Sequence, residues 1–88
     1  MTKSKVSIMD LRASANEMTL RINKLGGVRV IKNEIVMMEH VRTQCSDSPV
    51  VVADYDNRIL AKRWVLNECE ELERERDAVY TEVYLRGF

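Results

Sequence analysis

Glycine and proline interrupt this chain at only two interior points, Gly26-Gly27 and the cluster Ser46-Asp47-Ser48-Pro49. One proline and three glycines in 88 residues leave it few means of turning. Glycine supplies positive φ and proline removes an amide donor, so their scarcity favours long uninterrupted elements over loops or disorder. The two interruptions divide the chain into three segments.

In the first, Ile8, Leu11, Ala15, Met18, Ile22 and Leu25 recur at alternating spacings of three and four, the period of one helical face. Ser7 followed by Asp10 resembles a capping box with Asp in place of Glu, and Gly26 offers a left-handed stop. Arg21 and Lys24 sit where a helix C-terminus attracts cations. The pattern predicts a helix over 7–25. In the second segment Val28, Ile31, Ile35, Met38, Val41 and Cys45 keep the same period and predict a helix over 28–45. The β-branched runs 28–31 and 35–38 allow an α+β alternative with a short hairpin at 28–38, although no turn glycine joins them. In the third, Ser48-Pro49 is a helix-start signal, Val50-Val51-Val52 is a poor opening, and Asp54 or Asp56 are alternative caps. Ala61, Val65, Cys69, Leu72, Val79 and Val83 then mark one face, interrupted by Arg76. The expectation is an all-α single domain over 1–88, with helices at about 7–25, 28–45 and 50–86. The first two form an antiparallel hairpin and the third is one long amphipathic helix.

Length makes such a chain want company. At about 1.5 Å per residue, a helix from residue 54 to 86 runs roughly 50 Å. A compact globule of this size is only about 30 Å across. A side-by-side hairpin of the first two helices would cover half of the third. Helices one and two laid end to end along it would cover it all. Tyr80, Tyr84 and Phe88 repeat every four residues near the C-terminus, and an exposed strip of that kind usually marks an interface. Trp64 is the further candidate anchor. These four residues are the expected partner interface, with a homo-oligomer, a dimer, and an unidentified protein as the expected partners.

Charge supports pairing. The net charge is zero, but residues 1–44 carry +4 and residues 45–88 carry −4, so the halves can face each other within or between chains. The alternative use of the basic half is to bind nucleotide or nucleic-acid phosphate through Arg21, Lys24, Arg29 and Lys32 near Gly26-Gly27. That spacing matches neither the Walker loop nor the dinucleotide fingerprint. A recognition helix for DNA is weakened by Glu34, Glu39 and a Met-rich face, so nucleic acid is the less favoured partner.

Catalytic chemistry finds little to use. His40 and Cys45 are five apart and point to different sides of a helix, and there is no Cys-x-x-Cys pair, so no metal site or cofactor is expected. Nothing in the local sequence favours His40 as general base for Cys45, Cys69 or a serine over a surface histidine, and Asp54 and Asp56, two apart, do not share a helical face. In size and helix number the chain is similar to the small all-helical chorismate mutases. Gly26-Gly27 ends the first helix where that family keeps a long one, and its active-site pattern cannot be placed on these residues. Cys45 and Cys69 without a leader-like apolar run after Lys3 and Lys5, and no stretch of ~18 apolar residues, give a cytoplasmic expectation with no membrane span. The functional expectation is a non-enzymatic small interaction protein (adaptor, inhibitor or regulator) that acts through its helices.

Overall fold

The computed structural model describes residues 6–87. Three α-helices follow in order, α1 (Ile8–Leu25), α2 (Val28–Gln44) and α3 (Pro49–Leu85), and no strand occurs among the described residues. Residues 28–38 are helical throughout, so the hairpin alternative is not adopted. The β-branched residues there serve a helical face instead: Ile31 and Ile35 are buried while Val30 and Val36 face solvent.

The start and stop signals of α1 act as their chemistry predicts. The Ser7 hydroxyl accepts the Asp10 amide at 3.1 Å. At the other end Gly26, at φ 107°, donates to the Asn23 carbonyl, and Gly27 donates to the Ile22 carbonyl at 3.0 Å. These two bonds make a Schellman termination. Gly27, at φ 87° and ψ 149°, then turns the backbone straight into α2, and its carbonyl accepts from the Ile31 amide at 3.1 Å. No loop separates the two helices.

That junction decides the architecture. α1 and α2 each pack along α3 and scarcely touch each other. They form one bent arm laid end to end against α3, not two helices packed side by side as the hairpin expectation had them. The backbone angles of Gly27, φ 87° and ψ 149°, carry α2 onward from α1 and not back along it. By the usual rise, α1 and α2 together span about 50 Å and α3 about 55 Å, so the arms match in length. The molecule is a rod of 62 × 22 × 17 Å, two helices thick. Its radius of gyration is 18.6 Å, against about 12 Å for a compact chain of this length.

The second turn, at residues 45–47, reverses the chain, with the Ser48 amide bonded to the Cys45 carbonyl at 3.0 Å. α3 opens at Pro49 with Ser48 as its N-cap residue, so the three valines are helical despite their poor propensity. Asp54 and Asp56 therefore lie inside the helix. Asp54 pairs with Arg58 at 3.0 Å and Asp56 pairs with Arg42 of α2.

A seam of apolar residues runs between the arms. Ile22, Ile31, Ile35, Ile59 and Cys69 are buried at its centre, with Leu25, Val28, Met38, Val65, Leu66 and Leu72 packed around them. Ala15 and Val83 are buried towards the other end. Cys69 is fully buried, and Gly27 lies against its thiol. Ile59 lies outside the stripe that spacing picked out, while Ala61, inside it, is exposed. Interhelical ion pairs fix the alignment: Arg42–Asp56, Arg63–Glu39, Lys62–Glu34 at 2.7 Å and Lys32–Glu70 at 3.8 Å. Exposed pairs like these are worth about 0–1 kcal/mol each, so they specify register more than they stabilise.

Candidate functional site

A rod two helices thick buries only the facing stripe of each helix. Its edges and outer faces are therefore where function has to be sought. On α3 the helical period places Leu66, Glu70, Glu73, Asp77, Tyr80 and Tyr84 along one edge. The same period places Ala61, Val65, Glu68, Leu72 and Glu75 along the other. Leu60 and Trp64 fall between these rows, on the outer face.

Tyr80 and Tyr84 share one groove. Both rings line it with Val83 of α3 and with Arg12 and Asn16 of α1. Tyr84 is 71% exposed and Tyr80 46%. Trp64, 72% exposed, lies with Leu60 and Asn67 in a different shallow groove. Sixteen residues of helix set it roughly 24 Å from Tyr80 along the axis. The structure thus brings two of the expected interface residues together and keeps the third apart. Phe88 lies outside the described residues. Spacing along α3 could find the tyrosines but not Arg12 and Asn16. Those come to the groove only through the antiparallel register, and their i, i+4 spacing beside the α1 stripe was the available signal.

The four basic candidates are not gathered into one site. Arg21 and Lys24 of α1 line a groove with Leu25, and across it stand Leu72 and the carboxylates Glu68, Glu71 and Glu75 of α3. Lys32 pairs with Glu70 on α2's other side, and Arg29 is exposed. An anion approaching Arg21 and Lys24 meets three carboxylates at the same opening. A further apolar groove along the same edge of α3 is lined by Met38, Ala61 and Val65, with Arg58 and Lys62.

Among the described residues no group of three or more His, Cys, Asp or Glu side chains is placed to hold a metal ion. His40 is exposed, Cys45 is half-buried and both thiols are free. Burial pushes the Cys69 thiol up from its ordinary pKa, and the neighbouring Glu73 carboxylate adds to the rise, so it is a poor nucleophile. Arg76, which interrupts the apolar stripe, is half-buried and donates to Thr19 of α1 at 3.3 Å, while its Nε is buried without a hydrogen-bond partner among the described residues. Among the described residues no helix is long and apolar enough to cross a membrane.

No family model matches this sequence, and comparison with curated proteins and with solved structures gives no significant match.

Proposed function

We propose that the chain is a non-enzymatic interaction protein, an adaptor, inhibitor or regulator that acts by helix-mediated binding to a partner protein. The observation that carries this reading is the balance of apolar side chains. Among the described residues seven hydrophobic ones are buried, whereas twelve large ones, Trp64, Tyr80 and Tyr84 among them, are exposed. Scattered apolar exposure is ordinary, but two tyrosines in one groove beside an Arg and an Asn make a typical anchor site. In this reading the chain also pairs with itself. The alternative, phosphate binding through Arg21, Lys24, Arg29 and Lys32, has less support because carboxylates face or pair with three of the four.

Site-specific photo-crosslinking tests the reading. A photoreactive residue at Tyr84 should give a discrete hetero-species in cells, and Tyr80→Glu should abolish it. The same residue placed at Met9, on the outer side of α1, should give none. Equal products at both positions, or none at either, would count against a binding groove.

A further inference from the structure

Between the arms, one stretch of edge carries charges of both signs that stand on facing walls without closing into ion pairs among the described residues. Arg21 and Lys24 stand on the α1 wall of the groove floored by Leu25 and Leu72. Glu68, Glu71 and Glu75 stand on the α3 wall. None of these five forms an ion pair with another described residue. Along the α2 half of the rod, by contrast, four interhelical ion pairs close the seam. The unpaired stretch also sits over half-buried leucines and not over open polar surface.

We propose that this groove is where a second copy of the chain docks, about a two-fold axis running along the rod. The proposal rests on reading the chain as a helix-mediated binding protein, and it names the surface and the occupant. Rotation about that axis exchanges the two walls. The α1 wall of one copy then lies over the α3 wall of the other at the same height. Two cations meet three carboxylates on each side, and the leucines meet across the axis. A two-fold axis perpendicular to the rod within the interface plane would instead put like wall over like wall. Only the first choice is complementary, and it yields four helices with antiparallel neighbours. The apolar floor continues along the same edge through Val65 and Met38, which lengthens the contact.

The exposed area is consistent with one missing partner. The chain exposes 6650 Å², whereas a compact monomer of 10.2 kDa exposes about 5,300 Å². That excess, about 1,300 Å², is of the order of the roughly 800 Å² that each partner contributes to a standard interface.

Sedimentation equilibrium of the full chain, with helicity checked by circular dichroism, tests this. Wild type should be a dimer that weakens with added salt. Arg21→Glu with Lys24→Glu should weaken it by about tenfold or more, as should Glu68→Lys with Glu75→Lys. Mixing the two reversed variants should restore a dimer, now a heterodimer, because each brings the wall the other needs. That rescue cannot come from a variant that merely misfolds. Wild type that stays monomeric at all concentrations overturns the self-docking. A dimer indifferent to both reversals, or reversed variants that never recombine, overturns this surface. The Tyr84 crosslink reports separately on partner binding and stands or falls by itself.

Discussion

Cys69 shows how one side chain ties the two arms together. It sits at the centre of the seam, where α3 passes the α1–α2 junction, and it has no exposed surface. Its small apolar side chain fills the seam beside Gly27, so the cysteine serves here as packing. Its raised pKa has a consequence for stability. The unfolded thiol ionises near pH 8.5, while the folded thiol, held up first by burial and then by Glu73, keeps its proton to higher pH. Above about pH 8.5 the unfolded state therefore binds fewer protons than the folded one, and stability falls as pH rises through that window. Thermal unfolding followed from pH 7 to pH 10 should show this loss in wild type and a shallower one in Cys69→Ala. Parallel curves would mean the thiol is not held in an apolar environment. Sequence spacing identified Cys69 as an apolar-stripe residue. It could not reveal that the position faces Gly27, because that contact depends on how the junction turns.

The junction itself is the element on which the architecture depends. Each helix was legible because several local signals agreed. For α1 the 3–4 spacing, the Ser7 cap and the Gly26 stop all give the same bounds, and α2 holds its period despite β-branched runs. The placement of α1 against α2 was not legible. Gly-Gly reads equally as a reversal or as a break, and the difference lies in the φ and ψ of Gly27, which glycine leaves unspecified. Similarly, the valines after Pro49 argue against a helix start by propensity, yet Val51 and Val52 are half-buried in the folded chain, and tertiary context overrides propensity. Gly27 occupies backbone space that other residues avoid, although a Cβ there would meet nothing within 4 Å. Gly27→Ala should therefore cost about 1–3 kcal/mol through backbone strain alone. Urea unfolding of that variant measures it, and a loss of a few tenths or less would mean the junction has another low-energy path.

At the scale of the whole molecule, shape is the most direct readout. The rod measures 62 Å by 22 Å by 17 Å. Docking of two rods along their length thickens the particle without lengthening it. Small-angle scattering of the associated form should accordingly keep a longest dimension near 62 Å while the cross-section grows. A longest dimension near twice that value would mean end-to-end association and would place the contact elsewhere. The Tyr80–Tyr84 groove lies on the opposite edge of α3 from the charged walls, so lengthwise pairing leaves it open on both copies.

The antiparallel register has one more consequence. Arg42–Asp56 near the turn, Lys62–Glu34 further along and Arg76–Thr19 beyond them all belong to a single alignment set by one reversal. A residue deleted inside α3 would rotate everything beyond it by about 100° and slide it about 1.5 Å, turning seam to solvent and tyrosine groove to back. Compensation would take a matching deletion in the other arm, or a change of about seven or eleven residues that restores the face. The chain should thus accept substitutions at many exposed positions yet reject almost any change of length outside the short reversal at residues 45–47. In gene terms, in-frame insertions and deletions within the helices should be among the most damaging lesions this molecule can suffer.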